Sequence, residues 1–124
     1  MSAEDNKQSA QDGYAAFSAG DAEGAMANIS DSVEWVVGGD NAATGTYHGK
    51  QEVGNFWAQI GEKGFQTNPH EFTAEGDTVT VRTTVSAGGD QREATDVLTY
   101  NDNGQLVKFE TSGGEDLLDK LFPR

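Results

Sequence analysis

The chain has 124 residues, a length typical of one domain that can bury its own core, and we expect residues 1–124 to form a single domain. Its 21 acidic and 8 basic residues give a formal net charge of -13, which repels polyphosphates and anionic lipid headgroups, so we expect no nucleic acid or membrane partner. The absence of cysteine excludes disulfides, thiol catalysis and thiolate metal sites.

The first half of the chain predicts three helices and one strand. The start MSAEDNKQSAQDG lacks the basic and apolar segments of a signal peptide, which favours a cytoplasmic protein, and Ser2 with Asp5 forms a capping-box-like start. The strongest helical pattern places Val53, Phe56 and Ile60 on one face. The predicted elements are a helix from Ala3 to Ala19, a helix from Ala22 to Ile29, a strand over SVEWVV, a loop over GGDNAATGTYHG and a helix from Lys50 to Ile60.

The second half of the chain changes to a period of two, which is typical of strands. Glycine-containing turns separate the alternating segments, so an antiparallel meander is expected. The predicted strands are Phe65 to Glu75, Thr78 to Ala87, Arg92 to Asn101 and Gln105 to Thr111, followed by a short terminal helix over EDLLDKLF. This order indicates an α+β domain with helices on one face of a curved sheet.

Three segments closely resemble the signature segments of SnoaL-like proteins, which belong to the nuclear-transport-factor-two-like superfamily with the ketosteroid isomerases. The segments are YAAFSAGDAEGAMANISDSVEWVV, GTYHGKQEVGNFW and DVLTYNDNGQLVKFE. The resemblance implies a cone-shaped, cystatin-like α+β barrel, in which a curved antiparallel sheet wraps around a long N-terminal helix with two further helices. It also implies a deep pocket for a hydrophobic small molecule and a homodimer. It says little about the reaction, because this fold hosts isomerases, cyclases, hydrolases, dehydratases and non-catalytic binding subunits.

The segment TDVLTYNDNG resembles the part of ketosteroid isomerases in which a protonated aspartic acid donates a hydrogen bond to a developing oxyanion. By this match Asp96 is the candidate catalytic acid. It shares a strand face with Leu98 and Tyr100, and loss of hydration in such surroundings raises the pKa of a carboxyl group. The alternative is a structural acid that is hydrogen-bonded to Tyr14 or Tyr100.

The rest of the isomerase machinery is not implied. Alignment through VEW places Trp35 where the family has its general base, and an indole cannot accept a proton. The position of the family's oxyanion tyrosine corresponds to Gly13, and Tyr14 is turned from it by roughly 100° around the helix. We therefore expect Tyr14 to line the pocket, but steroid isomerisation by the family mechanism is rejected.

The remaining candidates have a structural interpretation beside the functional one. The substrate-binding candidates are Tyr14, Phe17, Trp35, Trp57, His70 and Tyr100, of which His70 shares the parity of Phe72 and so could face the pocket. His48 is expected at the surface, and two histidines without a third ligand predict no metal; no cofactor is expected either. For Glu34, Glu110 and Arg82, ion pairing is favoured over a role in the pocket.

Two functions follow from these features. The first is an isomerase-like or cyclase-like enzyme that uses Asp96 as acid or oxyanion donor on a hydrophobic carbonyl or polycyclic compound. The second is a non-catalytic domain of the same fold that binds an apolar ligand or serves dimerisation. The missing base favours the second function, and the acid on an apolar strand face favours the first.

Overall fold

The computed structural model describes residues 2–123 as four helices and six strands. The helices are α1 (Ala3–Ser18), α2 (Ala22–Met26), α3 (Gly49–Glu62) and α4 (Glu115–Leu121). The strands are β1 (Ile29–Val37), β2 (Gly45–His48), β3 (Gln66–Glu75), β4 (Thr78–Ala87), β5 (Asp90–Tyr100) and β6 (Leu106–Ser112). This is the mixed α+β architecture with a curved sheet that the sequence predicts.

The six strands form one sheet in the order β2-β1-β6-β5-β4-β3. Consecutive strands from β3 to β6 pair antiparallel, which confirms the predicted meander. The return of β6 beside β1 gives a parallel pair, in which Trp35 lies opposite Phe109. This pair joins the two halves of the chain into one sheet, so that side chains from both halves reach the same concave face.

The helices form where local signals support them. The hydroxyl of Ser2 accepts a hydrogen bond from the backbone N–H of Asp5 at 3.2 Å, and the Asp5 carboxylate accepts one from the N–H of Ser2 at 3.3 Å, so the predicted capping box is present at the start of α1. Helix α3 buries Val53, Phe56 and Ile60, the residues whose spacing predicts it. Both α1 and α3 pack against the sheet.

Two predictions about local structure are wrong. The segment expected to be a loop contains β2, a four-residue strand that pairs with the end of β1 through Tyr47 and Trp35. Helix α2 ends at Met26 instead of Ile29, because Ile29 already pairs with Leu106 of β6. In both places a pairing with a distant or following strand decides the conformation, and local periodicity does not reveal it.

Candidate functional site

A cavity of about 130 Å³ lies between the concave face of the sheet, α1 and α3. Its walls are mostly apolar and aromatic, with polar groups at a few positions. The polar or titratable residues in its lining are Ser9, Tyr14, Asn28, Thr67, Asp96, Tyr100 and Thr111. An apolar cavity with a small number of polar groups is the usual form of a ligand site.

Asp96 lies in the middle of the sheet and points into this cavity. In the ladder it is opposite Val81 of β4 on one side and Thr111 of β6 on the other. The alternation of β5 places Ala94, Asp96 and Leu98 on the buried face, and Asp96 is 4% exposed. The predicted placement of an acid on an apolar strand face is therefore observed.

Burial raises the pKa of Asp96, because the charged carboxylate loses its hydration. Hydrogen bonds from Tyr14 and Thr111 act in the opposite direction, since they favour the charged form, but burial is the larger effect and the pKa remains above its ordinary value. The acid form is thus retained to higher pH than in an exposed aspartate. Only this form can donate a hydrogen bond to a ligand.

Tyr14 of α1 donates a short hydrogen bond to Oδ2 of Asp96. Its own pKa is raised well above the ordinary value, first by burial and then by the charge of Asp96, so the hydroxyl remains protonated and acts as the donor. The ring is held edge-on against Phe72, with 5.8 Å between the ring centroids. The hydrogen bond between Tyr14 and Asp96 that the structural interpretation named is therefore observed. Tyr14 also lines the cavity, although it stands one position after Gly13, where the family has its tyrosine.

Tyr100 contributes a second buried phenol to the cavity. Burial raises its pKa, so the phenol is neutral near pH 7. The two tyrosines and Asp96 are the titratable groups among the lining residues that the structure describes. We find no histidine, lysine, arginine or glutamate in that lining.

Another part of the cavity lining is an aromatic wall. Trp35 stacks on Phe109 with 3.8 Å between ring centroids and an angle of 9°, and it meets Trp57 edge-on at 5.4 Å. Phe17 meets Trp57 edge-on at 5.2 Å. The structure thus brings the predicted residues Phe17, Trp35 and Trp57 into one cluster that lines the cavity.

The structure corrects the expectation for His70, which does not line the cavity. It is exposed, and its Nε2 lies 2.8 Å from Oε1 of Glu93. The register of β3 against β4 shifts between Pro69 and Glu71, so His70 is the extra residue of a bulge and the parity of the strand changes there. In a regular strand His70 would lie on the same face as Phe72, but the bulge places His70 on the outer face.

The other charged candidates lie outside the cavity lining as well. Glu110 is exposed and pairs with Lys108 at 3.2 Å, which is its expected structural role. Glu34 and Arg82 are exposed. The pKa of Glu93 is lowered first by the hydrogen bond from Thr84, and the charge of Arg82 adds a smaller effect in the same direction. His48 is exposed at the start of α3, as expected.

The prediction missed two residues that shape the site. Thr111 lies directly beside Asp96 in the sheet and hydrogen-bonds to it. Its shared parity with Phe109 was the available signal. Gly13 lines the cavity, and a Cβ atom built there would meet nothing within 4 Å, so the missing side chain leaves space for a ligand.

Comparison with known proteins agrees with the fold and gives the family. The profile of the SnoaL-like domain matches residues 10–109, so the chain belongs to the SnoaL-like domain family. A search of curated proteins found no significant match. None of the helices within residues 2–123 is long and apolar enough to cross a membrane.

Solved structures with the same fold are numerous. An NTF2-like protein of unknown function from Burkholderia pseudomallei is similar at 25% identity, with 100% of both chains covered and a TM-score of 0.83. A protein of unknown function with a cystatin-like fold from Xanthomonas campestris is 23% identical, with 96% of this chain and 98% of that chain covered and a TM-score of 0.85. TerC co-crystallised with polyporic acid is 24% identical, with 94% and 97% covered and a TM-score of 0.81.

Proposed function

We propose that this protein binds a small, uncharged, hydrophobic carbonyl compound in the cavity and catalyses proton transfer on it with Asp96 as the acid. The observation that carries this proposal is the buried carboxyl group of Asp96, held by Tyr14 on the wall of an apolar cavity. A neutral carboxyl group there can donate a hydrogen bond to a carbonyl oxygen. A neutral ligand is favoured because the chain carries a charge of -13 and the described lining residues include no cation.

The cavity volume supports a compound with one ring. At about 130 Å³ it is close to the roughly 150 Å³ of an apolar cavity known to bind benzene. A ring can lie against the aromatic wall of Trp35 and Trp57, and its carbonyl can face Asp96 on the sheet. A polycyclic compound, the other substrate class considered from the sequence, would need the side chains around the cavity to move.

In the proposed reaction one carboxyl group acts twice. Asp96 gives its proton to the carbonyl oxygen, and the carboxylate so formed removes a proton from the carbon next to the carbonyl. The electron pair of that C–H bond forms a C=C bond, the carbonyl becomes a hydroxyl group, and Asp96 is protonated again. The product is the enol, which can be protonated at another carbon to complete an isomerisation or can attack a second carbonyl of the same molecule to close a ring.

Tyr14 supports both halves of this reaction. Its bond to Oδ2 orients the carboxyl group, and it also stabilises the transient carboxylate, because a hydrogen bond to the charged form lowers the pKa. Thr111 acts in the same way from β6. Burial thus favours the protonated carboxyl group, and the two hydrogen bonds stabilise the carboxylate that forms during the reaction.

The test is proton exchange on acetophenone, a ketone with one ring. Wild type, Asp96→Asn and Asp90→Asn are incubated with it in D₂O, and loss of the methyl proton signal is followed by NMR. We expect exchange above the buffer rate with wild type and Asp90→Asn, and the buffer rate with Asp96→Asn. Asp90 is the matched control because it lies on the same strand but pairs with Lys120 at the surface.

The second candidate function is non-catalytic binding of the same kind of ligand. The absence of any histidine, lysine or glutamate from the described lining favours it, since no second group is present to take up a proton. Both tryptophans of the chain line the cavity, so their fluorescence reports ligand binding directly. A fluorescence change with acetophenone, without proton exchange, would establish this second function in place of the first.

Homodimerisation, which the family resemblance implies, belongs to the same proposal. It is supported by uncharged, half-buried residues on the sheet face that points away from the helices: Thr78, Thr80, Val97 and Thr99. Sedimentation velocity should give twice the mass of one chain for wild type and a smaller particle for Val97→Lys. A monomeric wild type would contradict the dimer without affecting the proposed reaction.

A further inference from the structure

A surface groove of about 510 Å³ adjoins the cavity between the end of α1, α3 and the start of β3. The cavity and the groove share four lining residues, Phe17, Trp57, Phe65 and Thr67. The groove and the cavity therefore adjoin along these four residues. A ligand that reached from one space to the other would pass between their side chains.

The groove differs from the cavity in its chemistry. Its polar side chains are Ser18, Gln66, Thr67 and Asn68, which are hydroxyl and amide groups. It is lined by no charged residue among those that the structure describes, although 23% of the chain is charged. An ionised group placed there would find no partner, whereas a neutral hydrogen-bonding group would find several.

The backbone of β3 adds further hydrogen-bonding groups. This strand is at the edge of the sheet and pairs only with β4, so alternate N–H and C=O groups point away from its partner. Gln66 and Asn68 belong to both this edge strand and the groove lining. An amide or hydroxyl group of a ligand can pair with such open backbone groups.

Helix α3 leaves room on the opposite wall. Besides Trp57, which the groove shares with the cavity, it contributes Gly54, Ala58 and Gly61, which follow one another at helical spacing and present little side chain to the groove. A Cβ atom at Gly61 would meet nothing within 4 Å, so the space in front of it is open.

From these observations we infer that the groove is an outer subsite for an uncharged tail bearing an amide or hydroxyl group, on the same ligand whose ring occupies the cavity. This inference rests on the proposed binding function, and it names the substrate class more closely. The substrate is an amphipathic neutral molecule, with an apolar carbonyl-bearing ring near Asp96 and a polar tail that leaves between α1 and α3.

The test compares three probes that share one ring and one ketone: acetophenone, 4-acetylphenylacetamide with an uncharged amide tail, and 4-acetylphenylacetic acid with an anionic tail. Their Kd values are measured by tryptophan fluorescence with wild type, Gly61→Leu and Gln59→Leu. Leucine at position 61 places a larger side chain on the wall of the groove. Position 59 is exposed on the same helix but outside the groove, so Gln59→Leu is the matched control.

We expect the amide tail to tighten binding to wild type and Gln59→Leu about tenfold, the effect of one or two net hydrogen bonds. In Gly61→Leu this gain should vanish while acetophenone binds as before. The carboxylate tail should give no gain in any of the three proteins. Circular dichroism melting confirms that each variant is folded.

The two proposals fail in different ways. If acetophenone does not bind to wild type, the proposed function and the subsite both fall. If acetophenone binds but the amide gives no gain, or if Gly61→Leu retains the gain, the outer subsite alone is overturned. A carboxylate that binds more tightly than the amide would also overturn it, because the groove would then favour an anion.

Discussion

The hydroxyl of Tyr14 is hydrogen-bonded to the carboxyl group of Asp96, which lies 82 positions later in the chain. The bond joins α1 to the middle of β5, across the cavity that the two elements enclose. Burial of either polar group without a hydrogen-bond partner would destabilise the fold, and the bond between the two groups offsets this cost for both. The same contact that stabilises the packing of α1 on the sheet also holds the carboxyl group of Asp96 at the wall of the cavity.

Replacement Tyr14→Phe should raise the pKa of Asp96 further. The substitution removes one of the two hydrogen bonds that lower the pKa of Asp96, so the effect of burial, which raises this pKa, is opposed only by the bond from Thr111. The free energy of unfolding should fall by about 1 kcal/mol, the usual net value of such a bond. The pKa is read from the ¹³C shift of the Asp96 carboxyl group as a function of pH, and stability from urea denaturation.

Tyr47→Phe is the matched control for Tyr14→Phe. The Tyr47 hydroxyl donates to the carbonyl oxygen of Ala43 at 2.7 Å, so this variant also loses one hydrogen bond of a phenol. It should lose a similar free energy of unfolding but leave the pKa of Asp96 unchanged. An unchanged pKa in Tyr14→Phe would show that the bond does not act on the acid.

Replacement Asp96→Asn should change how stability depends on pH. The pKa of Asp96 is higher in the folded state than the value of about 3.9 expected in the unfolded chain. Between these two values the unfolded chain releases the proton and the folded protein keeps it, so the wild type loses stability as pH rises. Asparagine does not titrate, and the variant lacks this loss.

The measured quantity is the free energy of unfolding of Asp96→Asn minus that of wild type. It should be constant below the unfolded pKa, rise by up to about 1.4 kcal/mol per pH unit through the window, and level off above the folded pKa. The lowered pKa values of Glu93 and Asp116 act in the opposite direction, but they are common to both proteins and cancel. A difference that does not change with pH would mean that Asp96 titrates normally.

The sequence predicted the parts of the site that depend on local pattern. The alternation in β5 is enough to place Asp96 with Leu98 and Tyr100 on the buried face, and helical spacing places Phe56 and Ile60 in the core. The long third to sixth strands were predicted within two residues of their ends, because glycine-containing turns separate them.

The parts that were missed depend on tertiary contacts. The bulge at His70 changes the parity of β3, and no residue pattern shows that an extra residue is present. Strand β2 has four residues, and it forms because β1 offers a partner. The contact between Tyr14 and Asp96 depends on how α1 is rotated against the sheet, which the tertiary packing of the helix sets.

Replacement Gly13→Ala should stabilise the fold and weaken ligand binding. Alanine is favoured over glycine in a helix interior by about 1 kcal/mol, and the added methyl group meets no neighbouring atom. Because Gly13 lines the cavity, that methyl group occupies space that the ligand would use. Thermal melting and the fluorescence Kd for acetophenone measure the two effects.

Gly61→Ala is the control for Gly13→Ala. It makes the same change in α3, again in open space, but faces the groove and not the cavity. It should raise the melting temperature similarly and leave the Kd for acetophenone unchanged. Equal binding to all three proteins would show that the ligand does not reach the part of the cavity next to Gly13.

Replacement Gly113→Ala should destabilise the protein much more than Gly89→Ala. The two glycines have nearly the same positive φ, 87° and 89°, so the cost of placing an L residue in this conformation, about 1–2 kcal/mol, is shared. A Cβ atom at Gly89 meets nothing within 4 Å, whereas at Gly113 it would lie 2.5 Å from the carbonyl oxygen of Glu93. That oxygen belongs to the backbone of β5, which cannot move without disturbing the strand that carries Asp96.

We therefore expect Gly113→Ala to lose at least about 2 kcal/mol more than Gly89→Ala in urea denaturation, a loss typical of severe strain or overpacking. Similar losses in the two variants would mean that β5 can shift away from the end of β6 at little cost, and that glycine at position 113 is required only for its conformation.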